Sequence, residues 1–449
     1  MNKPTPREVA LEVIDRVNET GSYANLLLPK ILERTHLEPR DKALVTELVY
    51  GTLRNQGTLD WIIERFSTKK IKELTSIRVA DILRLGAYQI YYLEKIPDRA
   101  AVNESVELAK KSFHKGTADY VNAVLRKIAS KKAKVNYEPL KKDFAKYLAI
   151  RYSHPEWITE LLMEQYGKRT AEAVCKADNV TPVITLGVNT MRISSDAFQK
   201  NLTKRGYKLT ASKLVPDAFM IKKPGAINEI FGWREGLFYV QDQSSMLVSH
   251  VVSPNPTDRI IDSCAAPGGK AIHLSILMKN KGYIIASDSS PQRLALLDLT
   301  RERLGLKNII PLAVDARRLD RYVKRTVNKA LVDAPCSGLG TFARRPDERW
   351  RKTPETVARL SKLQKEILDK VSELVKKNGV LVYSVCTWTK QETIEVCEHF
   401  LETHPNFQID DISKVLPGKM KMNTPYGIQI LPQKYHTDAM FIAKFVRVK

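Results

Sequence analysis

The stretches ALVDAPC (residues 330–336) and VLVYSVC (residues 380–386) decide the fold of this chain. Each is a short apolar run of the kind that forms a buried strand of a parallel sheet, and each ends in a cysteine, Cys336 or Cys386. Side chains at the carboxyl ends of parallel strands point into the ligand crevice of an open α/β sheet. A thiol in that position is better placed for nucleophilic chemistry than for packing.

Three more apolar runs precede these two, so that the predicted strands after about residue 245 are 259–262, 283–288, 309–315, 330–334 and 380–384. Between the last two, Thr353-Pro354-Glu355 predicts the start of a helix, and leucine, isoleucine and valine follow at helical spacing. Strands that alternate with helices in this way predict an α/β, doubly wound parallel sheet.

The earlier part of the chain has a different pattern. Residues 1–135 predict helices only, beginning with Thr5 as N-cap and Glu8 closing a capping box. Residues 145–245 predict a small α+β module with helices at 157–166 and 195–205 and strands at 183–188 and 238–240. A segment at 207–209 adjoins the second of these helices.

Lysine and arginine exceed aspartate and glutamate by 23. An excess of this size indicates a polyanionic partner, with nucleic acid the first candidate and an anionic membrane surface the second. A basic protein that is merely soluble remains an alternative. A stretch with few apolar residues holds many cations and predicts a linker, which either contacts RNA phosphates or is simply a solvated face: Arg126, Lys127, Lys131, Lys132, Lys134, Lys141, Lys142 and Lys146.

Two further features bear on location and metals. No run of about 18 apolar residues predicts a membrane span, and the first six residues lack the apolar core of a secretory signal. The five cysteines are an odd number without CxxC spacing, which argues against a zinc knuckle or another metal site. Free thiols are typical of a reducing cytoplasm, which we therefore expect.

A glycine turn follows the first of the predicted strands, and three aspartates, Asp288, Asp315 and Asp333, close later ones. Glycines let the backbone approach a ligand, and the helix after the turn offers free N–H groups. Asp288 follows the turn by roughly the twenty residues expected of a nucleotide-binding unit. A lone aspartate more often caps a helix, but three in register with the turn favour a nucleoside ligand.

Cys386 suggests a specific chemistry. A thiolate adds readily to an electron-poor carbon, and carbon 6 of a pyrimidine is one. Addition there makes carbon 5 nucleophilic enough to take a methyl group. A single cysteine in a strand is usually a small buried hydrophobe, but the nearby Asp333 and glycine turn favour the nucleophile.

Several motifs resemble those of the S-adenosylmethionine-dependent RNA cytosine-5 methyltransferases. DSCAAPGGK (262–270) resembles the cofactor motif of that family, DAPCSG (333–338) its fourth motif, and YSVCT (383–387) its sixth, which carries the nucleophile. RRPD (344–347) and HTD (436–438) are also similar. The helical N-terminal region resembles the NusB-like RNA-binding domain, so the resemblance covers nearly the whole chain.

The resemblance implies an all-α NusB-like RNA-binding domain (1–135), a small α+β RNA-binding module (145–245) and a Rossmann-like methyltransferase domain (246–449). It implies S-adenosylmethionine as cofactor and RNA as partner, with a cytosine of 16S ribosomal RNA as the methylated base. Neither a metal nor a membrane is expected, and the chain is taken as a monomer for want of an interface pattern.

The resemblance also implies individual roles. Cys386 would attack carbon 6, and Cys336 would assist release of the product. Asp333 would adjoin the cofactor and the cytosine ring nitrogen, stabilising the adduct while protonated. Asp288 would hold the ribose hydroxyls and Asp315 the adenine amino group. The methionine end of the cofactor would be held by Cys264, Ala265, Ala266, Pro267, Gly268, Gly269 and Lys270.

The chain departs from the family pattern at Val385, where threonine is usual, and at Ala439, where glycine is usual. Neither change removes a group that the chemistry needs. Other interpretations remain: methylation of transfer RNA or another ribosomal site, a non-enzymatic RNA-binding assembly factor, and a nicotinamide-dependent oxidoreductase. The last is weakened because the turn lacks GxGxxG spacing.

Overall fold

The computed structural model describes residues 4–131, 135–222, 225–418 and 420–449. Contacts divide the chain into two units: Met1–Val180 with Phe342–Arg351, and Thr181–Thr341 with Lys352–Lys449. Among the described helices, none combines the length and the apolar character that crossing a bilayer requires. The three-domain division predicted above remains a prediction.

The first unit is built from helices. The predicted capping box at Thr5 and Glu8 is present, with the Glu8 backbone N–H donating to Thr5 Oγ1 at 3.3 Å and Thr5 N–H to the Glu8 carboxylate at 2.6 Å. Apolar residues at helical spacing, such as Val13 and Ile82, form a buried core among the helices up to residue 128. The helices are α1 (Pro6–Thr20), α2 (Ala24–Arg34), α3 (Pro39–Arg54), α4 (Gln56–Phe66), α5 (Ile77–Tyr92), α6 (Asp98–Ser112), α7 (Lys115–Lys131), α8 (Phe144–Tyr152) and α9 (Glu156–Ala177, interrupted at Gly167).

The basic stretch predicted as a linker is helical in part, and the prediction is wrong there. Arg126, Lys127 and Lys131 lie on α7, and Lys146 lies on α8. The helix continues through Arg126, Lys127 and Lys131 because its apolar stripe, at residues 121, 124, 125 and 128, is buried in the core. Lys132 and Lys134 lie outside the described residues, and Lys141 and Lys142 end a short 3₁₀ turn.

The segment Phe342–Arg351, which follows Cys336 closely in the chain, belongs to the first unit. Arg349 is fully buried there, and its guanidinium donates to the backbone oxygen of Ser153 at 2.7 Å and to the side-chain oxygen of Asn179 at 3.0 Å. Burial lowers the pKa of Arg349 to about 10. The chain therefore leaves the second unit, completes the first and returns.

The second unit begins with an antiparallel sheet, whose strand order is β2-β3-β1-β4. The predicted strands near residues 184 and 238 and the predicted helix near residue 195 are present, whereas β3 was not predicted. The elements are β1 (Ile184–Val188), α10 (Ser195–Lys204), β2 (Leu209–Ala211), β3 (Ala218–Ile221) and β4 (Phe238–Val240).

A larger sheet follows, with strand order β10-β12-β9-β8-β5-β6-β7 and with β11 paired to β12. Five neighbouring strands, β9, β8, β5, β6 and β7, are parallel to one another, which confirms the predicted doubly wound sheet. The strands are β5 (Arg259–Asp262), β6 (Tyr283–Asp288), β7 (Ile309–Ala313), β8 (Val327–Asp333), β9 (Val375–Val385), β10 (Phe407–Ile409), β11 (Gly427–Ile430) and β12 (Met440–Arg447). The helices are α11 (Gln243–Val252), α12 (Gly269–Leu277), α13 (Pro291–Leu304), α14 (Pro354–Ser372), α15 (Ile394–Thr403) and α16 (Pro432–Tyr435).

The strand order reverses between β5 and β8. From β5 the chain builds outward through β6 to β7, and it then crosses to the other side of β5 to add β8 and β9. Ligands of open α/β sheets bind in the crevice at such a switch point, beyond the carboxyl ends of the strands. The glycine turn follows β5, Cys336 follows β8 and Cys386 follows β9, so the sheet brings all three to this crevice.

Candidate functional site

The thiols of Cys336 and Cys386 lie in contact, with their Sγ atoms 3.3 Å apart and sharing a hydrogen bond. The contact follows from the register of the parallel strands, in which Asp333 of β8 lies opposite Ser384 of β9. Both cysteines are partly exposed. The two residues are therefore joined in space although 50 positions separate them in the chain.

The environment makes the two thiols unequal. The pKa of Cys386 lies below its usual value, because the hydrogen bond from Cys336 stabilises the thiolate and Lys270 adds a positive charge. Burial, Asp333 and Asp438 oppose this shift. The pKa of Cys336 lies well above its usual value, because of the same hydrogen bond, then burial and the charge of Cys386. Cys386 is therefore the more readily ionised thiol of the pair, and Cys336 is the one that stays protonated and can donate to it.

Lys270 and Asp333 form an ion pair beside these cysteines. Lys270 Nζ lies 2.7 Å from Asp333 Oδ2, and Ser384 Oγ donates to Asp333 Oδ1 at 2.8 Å. Burial alone lowers the pKa of Lys270, but the charge of Asp333 and the hydrogen bond to it raise that pKa above its usual value. The lysine is thus held as a cation next to the carboxylate and near Cys386.

The glycine turn at residues 264–270 is anchored on β6. Ala265 N–H donates to the backbone oxygen of Ser287 at 2.7 Å, and Ala266 N–H donates to Asp288 Oδ2 at 3.2 Å. Gly268 has a φ of 111°, and a Cβ there would lie 2.7 Å from the side chain of Leu297, so this position requires glycine. The first turn of α12 follows at once and presents backbone N–H groups that have no partner within the helix.

The carboxylates of Asp288 and Asp315 both accept hydrogen bonds from backbone N–H groups. Asp288 is buried at the end of β6 and, besides Ala266, accepts from Ser290 N–H at 2.9 Å. Asp315 lies beyond β7, which ends at Ala313 and not at residue 315 as predicted. It caps the following 3₁₀ helix and pairs with Arg317 at 2.7 Å, and the hydrogen bond from Arg317 lowers its pKa. The helix-capping role considered for a single aspartate is thus observed for Asp315, whereas Ser290 caps the helix after Asp288. The role of both aspartates toward a nucleoside stays a prediction.

Two acidic residues were missed. Asp262 ends β5, is fully buried, and has neither carboxylate oxygen hydrogen-bonded among the described residues. Burial, followed by the charge of Asp333, raises its pKa to about 8. Glu392 lies behind the two cysteines and is also fully buried. The aspartate directly before the glycine turn was a visible signal, whereas nothing in the local pattern around Glu392 distinguishes it from a surface glutamate.

The two departures from the family pattern also have definite places. Val385 ends β9 opposite Phe441 of the neighbouring β12 and is fully buried in the hydrophobic core. Ala439 donates its N–H to the Gly340 oxygen at 2.8 Å, and Gly340 donates to the backbone oxygen of Cys386 at 3.1 Å. A Cβ at position 340 would lie 2.4 Å from that of Ala439, so the alanine requires glycine at position 340.

Three sequence families match successive parts of the chain. The NusB family matches residues 4–130, the ferredoxin-like domain of the RsmF/B-like methyltransferases matches residues 154–228, and the 16S rRNA methyltransferase RsmB/F family matches residues 249–446. These matches agree with the predicted sequence of an all-α region, an α+β module and a methyltransferase fold.

Similar proteins extend over the whole length. The probable ribosomal RNA small subunit methyltransferase B of Bacillus subtilis is 38% identical over 447 residues, covering 98% of each chain. The protein of the same name from Synechocystis is 36% identical and covers 97% of this chain and 98% of its own. The crystal structure of PH0851 superposes with a TM-score of 0.81 at 25% identity, covering 99% of both chains.

Proposed function

Because this chain belongs to the 16S rRNA methyltransferase RsmB/F family, we propose that it methylates carbon 5 of a cytosine in 16S ribosomal RNA, with Cys386 as covalent nucleophile. The observation that carries the proposal is the pair of thiols at the carboxyl ends of β8 and β9, 3.3 Å apart, of which one has a lowered pKa. A neutral thiol that donates a hydrogen bond to a neighbouring thiolate suits a reaction in which that thiolate first adds to the substrate and later leaves it.

The cofactor of such a methyltransferase is S-adenosylmethionine, which supplies an electrophilic methyl group. The residues around the turn fit its methionine end, since Gly268 leaves no side chain in the way and the start of α12 offers N–H groups to a carboxylate. Asp288 and Asp315 would contact the ribose and the adenine from the ends of β6 and from beyond β7.

The proposed chemistry uses the two cysteines in turn. The Cys386 thiolate adds to carbon 6 of the cytosine, forming a carbon–sulfur bond and moving the double-bond electrons toward carbon 5 and the ring. Carbon 5 would then take the methyl group from the sulfonium of the cofactor, whose carbon–sulfur bond breaks to leave the neutral thioether S-adenosylhomocysteine. Loss of the carbon 5 proton to a base restores the double bond and expels the Cys386 thiolate. The Cys336 thiol, hydrogen-bonded to that sulfur, stabilises it as it leaves.

Lys270 and Asp333 support these steps. In the proposal, the lysine charge stabilises the Cys386 thiolate, and Asp333, oriented by Lys270 and Ser384, meets the cytosine near its ring nitrogen. The positive excess of 23 charges attracts the RNA backbone, while the unpaired base supplies specificity. The cytosine must be turned out of its stack to reach the crevice.

Methylation of purified 16S ribosomal RNA with radiolabelled S-adenosylmethionine, followed by mapping of the modified base, tests the proposal. We expect one 5-methylcytosine that depends on the protein. A label on another atom or base would overturn the cytosine assignment. If the label appears only on transfer RNA, the substrate assignment is wrong but the proposed chemistry still holds. If neither free RNA nor small-subunit particles are labelled, the result favours a non-enzymatic assembly factor.

Replacing Lys270 with methionine is expected to raise the pKa of Cys386 and to slow its alkylation near neutral pH by up to roughly tenfold. The reason is that the lysine cation is lost while the Asp333 carboxylate stays. The measurement is the rate of Cys386 modification by iodoacetamide against pH, read by mass spectrometry.

Lys329→Met is the matched control for this variant. Lys329 forms a similarly buried ion pair with Asp258, 3.0 Å apart, before the amino end of β5. Removing one partner of a buried pair costs about 3–5 kcal/mol in either place, so both variants share the loss of stability. Only Lys270→Met should shift the pH dependence of Cys386 alkylation. If the two variants show the same pH dependence, Lys270 does not stabilise the Cys386 thiolate.

A further inference from the structure

The side chain of Glu392 is completely buried, and five hydrogen-bond donors converge on it. Ser337 donates its backbone N–H to Oε1 at 2.7 Å and its hydroxyl to Oε2. The hydroxyls of Thr387 and Thr389 donate to Oε2 at 3.3 and 2.9 Å. Gln364, on α14, donates its side-chain N–H to Oε1 at 3.0 Å. A carboxylate that faces only donors is held firmly, because hydrogen bonds to a charged acceptor are stronger than those between neutral groups.

Four of these five donors belong to the loops that carry the two cysteines. Ser337 directly follows Cys336, and Thr387 directly follows Cys386. We propose that Glu392 is the positioning residue of the two-cysteine site: its carboxylate ties the residue after each cysteine to one point and thereby fixes the contact between the two sulfur atoms. The meaning of this contact for catalysis rests on the proposed function, but the positioning itself does not.

The backbone around the site supports this assignment. The Tyr383 hydroxyl lies 2.6 Å from the backbone oxygen of Glu392, to which it donates, and 3.1 Å from the side-chain oxygen of Gln364. Gln364 in turn donates to the backbone oxygen of Pro335 at 2.9 Å. The glutamate is thus fixed from β9 and α14, and the proline before Cys336 is held by the same network.

The charge of Glu392 also acts on the thiols. The pKa of Cys336 is raised first by the hydrogen bond with Cys386, then by burial and by the charge of Cys386, and further by Glu392. The glutamate therefore helps to keep Cys336 a neutral thiol, which is the form that donates to Cys386. The Glu392 side chain therefore affects both the position of the two cysteines and the protonation of Cys336.

The two carboxylate oxygens differ in a way that makes the idea testable. Oε1 meets two N–H groups, which can only donate, whereas Oε2 meets three hydroxyls, which can also accept. Glu392→Gln therefore fits in one orientation, with its amide oxygen at the Oε1 position and its NH₂ at the Oε2 position. Glu392→Leu has similar size but leaves buried donors without a partner.

Asp258→Leu is the matched control, because it removes another buried carboxylate from the same unit. Asp258 is 5% exposed and accepts from the Asn255 N–H at 2.7 Å and from Lys329 at 3.0 Å, before the amino end of β5. The cysteines lie at the opposite, carboxyl end of the sheet. A loss of stability alone should therefore look the same in both leucine variants.

The experiment is disulfide capture in the full-length protein. Diamide oxidises the two thiols to a disulfide and is itself reduced to a hydrazine by the two electrons and two protons they lose. The rate of appearance of the crosslinked Cys336–Cys386 peptide is followed by mass spectrometry. Methyl transfer, split into kcat and KM for RNA, and the melting temperature are measured on the same samples.

We expect Glu392→Leu to slow capture at least tenfold and to lower kcat by a similar or larger factor with little change in KM. Glu392→Gln should recover most of the capture rate, and Asp258→Leu should capture at the wild-type rate despite a comparable loss in melting temperature. Wild-type capture in Glu392→Leu, or equal slowing in Asp258→Leu, would overturn the proposal.

If Glu392→Leu does not fold, Thr389→Val and Ser337→Ala each remove one donor and should slow capture in a graded way, whereas unchanged capture in both would overturn the proposal. If the wild-type protein forms no 5-methylcytosine, the function proposed above fails. The capture rates still decide whether Glu392 sets the sulfur contact.

Discussion

Alanine at position 386 is expected to reduce RNA methylation by roughly four orders of magnitude, because without the thiolate carbon 5 is not activated and only binding and orientation remain. Binding of S-adenosylmethionine should change less than about twofold, since Cys386 follows β9 and the glycine turn follows β5. Radiolabel transfer to 16S ribosomal RNA and calorimetric titration with the cofactor measure the two effects separately.

Cys397→Ala serves as the control for this variant. Cys397 is fully buried on α15 and is a packing residue of the same unit. Its replacement should lower stability but leave the rate of methyl transfer per folded molecule near that of the wild type. If Cys386→Ala methylates RNA at a comparable rate, Cys386 is not the nucleophile.

Replacing Cys336 with alanine is expected to stop multiple turnover and to trap the protein on RNA as a covalent adduct. The Cys386 thiolate is a poorer leaving group without the hydrogen bond from Cys336, whose loss also raises the pKa of Cys386. Adduct formation should therefore be slower than in the wild type but nearly complete, whereas release should become slower still. Denaturing gel electrophoresis of the protein with labelled RNA measures the adduct.

The double variant Cys336→Ala/Cys386→Ala gives the matched background, because it lacks the sulfur that forms the bond. No band resistant to denaturation should appear with it. Turnover of Cys336→Ala at the wild-type rate, with no accumulated complex, would exclude a role for Cys336 in release.

The sequence predicted the central sheet well because buried parallel strands are apolar along their whole length. The runs ending near Asp262, Asp288 and Asp333 became β5, β6 and β8, and Thr353 caps the helix that follows β8, as expected. The two cysteines came together because neighbouring parallel strands end at the same edge. Local pattern and tertiary structure agree in this part of the chain.

Other features depend on contacts that no local pattern encodes. The short strands β3, β10 and β11 are completed by pairing with distant partners, as when Phe407 of β10 lies opposite Arg447 of β12. The local sequence around Glu392 is that of a surface glutamate, and its buried position depends on contacts with another loop, such as the hydrogen bond from Ser337. The linker prediction was wrong over the last part of α7, because the buried Ile128 continues the apolar stripe of the helix between Lys127 and Lys131.

The membership of Phe342–Arg351 in the first unit has a consequence for biosynthesis. Ser153 and Asn179 receive hydrogen bonds from Arg349, which is translated much later. Domains generally fold as units while the ribosome is still adding residues. In this chain the N-terminal helices lack the buried Arg349 side chain until residue 349 has emerged from the exit tunnel. A nascent chain released before that point would therefore lack the group that fills this part of the first unit and donates to Ser153 and Asn179.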